Sequence, residues 1–209
     1  MTKSIINIKD DILVSLLPDV PFDGWCWDIV SRAAVQSGYD KTMAAAVFPG
    51  KITDVVEHFA DWLDRQMLEK LENVNMDDMR VRDRIRGIVM ERFYIMQDYR
   101  QAEQAALAFW AVPLHSPKAG RVLWRTADRI WNRAGDTATD YNHYTKRGLL
   151  SGVIGSVALV WLNDDSDGLK TTEDFLGRRI ENIMQLGRFL GRIKKTVPSF
   201  RSNFSEKGL

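Results

Sequence analysis

From Gly148 to Leu162 the chain reads GLLSGVIGSVALVWL, an uncharged and almost uniformly apolar run. Such a run has to leave water, because the burial of apolar surface is the main force that stabilises a fold. It is shorter than the roughly 20 residues that a bilayer span requires. It therefore predicts a core helix surrounded by others. Small residues are its peculiarity: Gly148, Ser151, Gly152, Gly155, Ser156 and Ala158. They permit a close helix seam, or they leave room for an apolar guest in an otherwise filled core, and the run leaves both open. Thr137 and Asp140 just upstream fit a capping box, which places the start of this helix.

The remaining periodicity is helical as well. Val30, Ala33, Ala34 and Ser37 keep helical spacing until Gly38. A short segment from Lys41 to Phe48 ends at Pro49-Gly50, a turn signal. Val55, Val56, Phe59, Leu63, Met67 and Leu71 recur at i, i+3, i+4 and i+7, and Val81, Ile85, Ile88, Val89 and Met96 share another face. Ala102 to Trp110 and Val122 to Trp131 follow, and Ala134-Gly135 breaks the chain. No alternating strand pattern is found. An all-α bundle of about nine helices joined by short turns is expected.

Near Thr171 and Asp174, a second capping box opens FLGRRIENIMQLGRFLGRIKK. Phe175, Leu176, Ile180, Ile183 and Leu190 form a wide apolar face. Arg188 and Arg192, with Arg178, Arg179, Lys194 and Lys195, supply a basic one. That pairing suits a helix lying in a membrane interface. It also suits a terminal helix packed on its own domain or across a dimer seam. Residues 197–209 are polar and read as a disordered tail.

Charge and chemistry narrow the function. With 29 basic and 28 acidic residues the formal charge is +1, so no overall pull toward nucleic acid is expected. Cys26 is alone, which excludes an intramolecular disulfide and a cysteine zinc site and suits a reducing compartment. The first 20 residues lack a basic segment followed by an uninterrupted apolar one, so no signal peptide is expected. The simplest localisation is the bacterial cytoplasm. His58, His115 and His143 fall in no metal-binding spacing, and there is no phosphate-binding glycine loop or nucleophile elbow. Asp140 and His143 stand i, i+3 apart, but a capping acid and a surface histidine explain them more simply. No enzyme, cofactor or metal is expected.

Between the helical patterns lies WNRAGDTATDYNHYTKR, Trp131 to Arg147. Aromatic rings among charges make a docking surface, since each ring buries a large area while the charges set orientation. This block resembles the signature of the accessory lipid-binding family of ubiquinone biosynthesis, the coenzyme Q nine family. Trp131, Ala134, Gly135, Asp136, Thr139, Asp140, Asn142, Tyr144, Thr145 and Arg147 match it. The segments ALVWLNDDSDGLKTTEDFLGRRIENIMQLG and SRAAVQSGYDKTMAAAVFPGKITDVVEHF extend the resemblance over roughly residues 22–195.

The resemblance implies a TetR-like helical bundle whose helix-turn-helix region no longer binds DNA. Its parts would be an N-terminal extension (1–20), a degenerate helix-turn-helix-like region (21–75), a lipid-binding bundle (76–170), the amphipathic membrane helix (171–196) and the tail. It implies a homodimer with no catalytic residues that holds an isoprenoid or quinone lipid. Leu150, Ile154, Val157, Val160 and Trp161 would line the lipid site. An exposed patch of Asp128, Trp131, Asp140, Tyr144 and Arg147 would dock demethoxyubiquinone hydroxylase. The C-terminal helix would hold the protein peripherally on the inner membrane. Members can carry Trp before the motif tyrosine where this chain has His143; a lost aromatic anchor weakens binding by about 2 kcal/mol at a hot spot. The alternative is a TetR-like transcriptional regulator with an apolar ligand pocket. Its recognition helix would be DKTMAAAVF, Asp40 to Phe48, which offers Lys41 and then mostly alanine. That is a poor surface for reading bases and phosphates.

Overall fold

The computed structural model describes residues 3–137 and 141–196, with side-chain surroundings over the same range except at 116, 141, 142 and 186–196. Among these residues there are ten α-helices. The first five are α1 (Ile5–Leu16), α2 (Val20–Asp23), α3 (Trp27–Gln36), α4 (Lys41–Val47) and α5 (Ile52–Lys70). Then come α6 (Val81–Gln97), α7 (Arg100–Ala111), α8 (Ser116–Arg133), α9 (Tyr141–Trp161) and α10 (Lys170–Thr196).

The stretch expected to be an N-terminal extension forms α1 and enters the core. Ser4 caps it by accepting the Asn7 amide at 3.2 Å, and Ile12, Leu13 and Leu16 are fully buried. Asp10, in its charged interruption, faces α5. Asp10 meets His58 Nε2 at 2.7 Å and accepts two bonds from Arg65, at 2.8 and 2.6 Å. The helix ends at Gly38 and Gly135 have a common cause. Both glycines take positive φ, +82° and +88°. This lets Tyr39 donate to the Ala34 carbonyl and Asp136 to the Trp131 carbonyl, closing α3 and α8 with the doubled bonds of a Schellman motif.

The bundle is assembled around α5, whose Val55, Val56, Phe59, Leu63 and Met67 are all buried. At its centre lies a polar knot. Asp64, fully buried, accepts Arg92 Nε at 2.8 Å and Thr126 Oγ1 at 2.9 Å, with Arg129 Nη1 at 3.3 Å. A buried carboxylate persists because those donors replace water.

The helix α9 is not enclosed on all sides, contrary to the expectation of a surrounded core helix. Leu150, Val153, Ile154, Val157, Ala158 and Trp161 are buried, while Leu159 on the opposite side is 63% exposed and Gly148 and Gly152 face out. Nor do its glycines make a close seam within this chain. A Cβ would find nothing nearby at Gly152, Trp124 at 3.9 Å from Gly148, and Leu123 at 3.7 Å from Gly155, which is ordinary contact.

A 3-10 turn, Asp167–Leu169, leads into α10, which starts at Lys170. Thr171 therefore lies inside the helix rather than capping it. The cap comes from Asp164, which accepts the amides of Ser166 at 2.9 Å and Thr172 at 2.7 Å and both their hydroxyls. Burial pushes the Asp164 carboxyl up, but these bonds outweigh it and hold it well below the ordinary 3.8. No helix among the described residues is long and apolar enough to cross a membrane.

Candidate functional site

Three features converge on α8, α9 and their neighbours. The first is a cavity of about 90 Å³ between α5, α6, α7, α8 and α9. Phe59, Ala106, Leu123 and Ile154 line it, together with the polar groups of Arg92, Glu103 and Thr126. Of the five residues expected to line a lipid site, Ile154 is at its wall. Leu150, Val157 and Trp161 are packed into the core, and Val160 is half-buried. Trp161 instead packs at a tilt beside Phe93, at 5.9 Å between ring centroids, with the Arg100 guanidinium 5.6 Å from its own. The volume falls short of the roughly 150 Å³ cavity that holds benzene. A larger guest requires the outer wall to yield, and Leu107, Trp110 and Leu123 there are only half-buried.

The second feature is the aromatic block, which the structure divides in two. Arg147 is not on an exposed patch as expected, but 1% exposed. Its Nε binds Asp128, Nη1 reaches Asp136 at 3.1 Å and Nη2 reaches Asn132 at 3.1 Å. It is a brace between the end of α8 and the start of α9. Arg147 leaves the surface because those acceptors together replace its hydration. Trp131 is half-buried beside it, donating from Nε1 to the Lys146 carbonyl at 3.2 Å, and Lys146 Nζ sits 5.2 Å from its ring. Tyr144 is the exposed member, at 64%. Its ring lies 6.2 Å from Trp124 and 5.2 Å from His143. The side chain of Asp128 is 37% exposed. Asp140 lies outside the described residues. Sequence reasoning missed Trp124, although it sits two turns before Trp131 and so on the same face of α8.

The third feature is α10. Leu176 and Ile180, expected to face a membrane, are buried at 0% and 9% exposure where α10 packs on α9 and α6. Their apolar partner is the domain itself. Ile183 is half-buried, and Phe175 is half-covered by the guanidinium groups of Arg179, 4.7 Å away, and Arg178, 5.9 Å away. The side chains of Arg188, Leu190 and Arg192 lie outside those described. Among the described residues, no group of three or more histidines, cysteines or acids is placed to hold a metal ion.

These helices define a TetR-like class of bundle. The TetR transcriptional regulator from Nitrosomonas europaea ATCC 19718 matches with a TM-score of 0.64 over 84% of this chain and 97% of that one, at 17% identity. At that identity the likeness is one of fold. The COQ9 family model matches residues 116–187, from the start of α8 into α10. That segment, about a third of the chain, is similar to the COQ9 family. "Ubiquinone biosynthesis protein COQ9, mitochondrial" from Rattus norvegicus is 28% identical over 197 residues, covering 91% of this chain and 63% of the relative. The human protein of the same name is 27% identical, covering 91% and 62%. The one from Drosophila melanogaster is 27% identical, covering 95% and 62%. The chain thus spans less than two thirds of the length of these relatives.

Proposed function

We propose that this chain acts in ubiquinone biosynthesis as a non-enzymatic accessory protein. It takes up a polyprenylated quinone intermediate at a membrane surface and presents it to a membrane hydroxylase, demethoxyubiquinone hydroxylase. The observation that carries this reading is the COQ9 match over residues 116–187, the segment that builds the aromatic block, the inner wall of the cavity and α10. The exposed Tyr144, with Trp124 and His143 beside it, supplies a docking surface of the kind that anchors interfaces. Uptake of a lipid tail proceeds through a minor, opened state in which Leu107, Trp110 and Leu123 move aside, since a guest selects the conformation that it binds best. A homodimer associated peripherally with the bacterial inner membrane completes the proposal.

A role in reading DNA is disfavoured by the α4 surface. Its exposed residues are Lys41, Thr42, Ala45 and Ala46, and the nearby Lys51 is drawn over the Trp27 ring at 4.7 Å. Two measurements test the proposal. Organic extraction of the purified protein should release isoprenoid or quinone lipids; lipid-free protein would count against carriage. Truncation after Gln185 spares the buried Leu176 and Ile180 and should abolish cosedimentation with vesicles containing anionic phospholipid. Undiminished cosedimentation removes the membrane step.

A further inference from the structure

The cavity contains one polar group that the fold does not use. Glu103, on α7, is 8% exposed and lines the cavity. No hydrogen bond or ion pair within 4.0 Å engages its carboxyl among the described residues. The neighbouring polar groups are committed elsewhere. Arg92 donates from Nε to Asp64 at 2.8 Å and from Nη1 to Met96 Sδ at 2.7 Å, and Thr126 donates to Asp64. The remainder of the wall is apolar, with α9 contributing Ile154, Gly155 and Ala158. A largely buried carboxyl without a protein partner is costly unless something else solvates it.

We infer that Glu103 is the anchor for an uncharged, oxygen-bearing head group, of the quinone or phenol class, that enters this cavity ahead of its apolar tail. This deepens the proposed carriage of a quinone lipid and rests on it. Burial raises the Glu103 carboxyl above its ordinary range and Asp64 adds to this, while Arg92 opposes them. In its acid form, which burial favours, a carboxyl donates one hydrogen bond and accepts others. It therefore matches a ring carbonyl or a phenolic hydroxyl. Anionic heads are disfavoured, because the nearby guanidinium of Arg92 is already neutralised by Asp64. The tail leaves along the half-buried outer wall formed by Leu107, Trp110 and Leu123.

The test uses the full chain after lipid removal, with two probes that carry the same ten-carbon tail. One is a decyl-substituted ubiquinone analogue; the other is decylbenzene, which lacks ring oxygens. Wild type should prefer the quinone. Glu103→Gln, which keeps a donor and an acceptor, should bind it within about threefold of wild type. Glu103→Leu should lose roughly tenfold, the value of one hydrogen bond, while holding decylbenzene at least as well. Glu103→Ala is the second variant should the leucine fail to fold. Full quinone affinity in both apolar variants overturns the anchor while leaving carriage intact. Failure of wild type to bind either probe overturns carriage itself, and the anchor with it.

Discussion

Replacing Arg147 with methionine separates a structural brace from a docking residue. The substitution keeps most of the apolar stem and removes the guanidinium. Asp136, whose side chain is 7% exposed, then loses the guanidinium and keeps Lys146, at 2.6 Å, while Asp128, 37% exposed, regains water. Removing one partner of a buried ion pair costs about 3–5 kcal/mol. The surviving Lys146 contact and the rehydration of Asp128 place the cost near the lower end, about 3 kcal/mol. In a domain of this size each kcal/mol moves Tm by roughly 2–4 °C, so a drop of about 6–12 °C is expected. Adding Asp136→Asn should cost less than the sum of the two single changes, because the stranded charge is gone. Thermal and urea unfolding of the four proteins measure this. A cost below about 1 kcal/mol, with hydroxylase capture nonetheless lost, would refute the brace and return Arg147 to the docking surface.

Tyr144→Ala should behave in the opposite way. At 64% exposure the ring contributes little to folding, so stability should stay within about 0.5 kcal/mol while pull-down of the hydroxylase falls; undiminished capture sinks the docking role. Asp164→Asn removes a charged cap and should cost about 2 kcal/mol at neutral pH. The folded carboxyl sits below the ordinary 3.8, so its stabilisation is present above that value and is lost as pH falls through the folded one. The gap between variant and wild type should close in acid, and a gap independent of pH would remove the charge from the account. Glu103 has the opposite sign. Its folded carboxyl lies above the ordinary 4.5, so its contribution is present below 4.5 and is lost as pH rises through the folded value. Glu103→Gln should therefore gain on wild type in Tm as pH rises, and parallel profiles would contradict this. Leu13→Ala in α1 should cost about 2–5 kcal/mol as a buried truncation; a surface-sized loss would detach α1 from the core.

Local signals were legible and distant partnerships were not. The i, i+3, i+4 spacing of Val55, Val56, Phe59, Leu63 and Met67 identifies the buried face of α5, because a helix has only one such face to give. Gly38 and Gly135 mark ends that need positive φ. By contrast, Lys9, Asp10 and Asp11 make α1 read as an extension, since nothing near them in sequence shows that Asp10 will meet His58 and Arg65, 48 and 55 residues away. The Thr171–Asp174 pattern looks local and is superseded by Asp164, whose reach to Thr172 depends on the intervening 3-10 turn.

The aromatic block and α10 show why a pattern of the right composition divides between folding and function. An apolar stripe with basic flanks is indifferent to whether protein or lipid covers it. In α10 the covering begins as protein, at Leu176 and Ile180, and thins by Met184, which is 43% exposed. Along the Trp131–Arg147 block, Arg147 is consumed by four acceptors while Tyr144, three residues earlier, is exposed to meet another surface. The buried brace fixes how α9 leaves α8, and that geometry holds Tyr144 against Trp124 on the outside. On the proposed reading, partner contact and fold stability are coupled through adjacent residues. A change at Arg147 should impair docking only in proportion to unfolding, whereas a change at Tyr144 should impair docking alone.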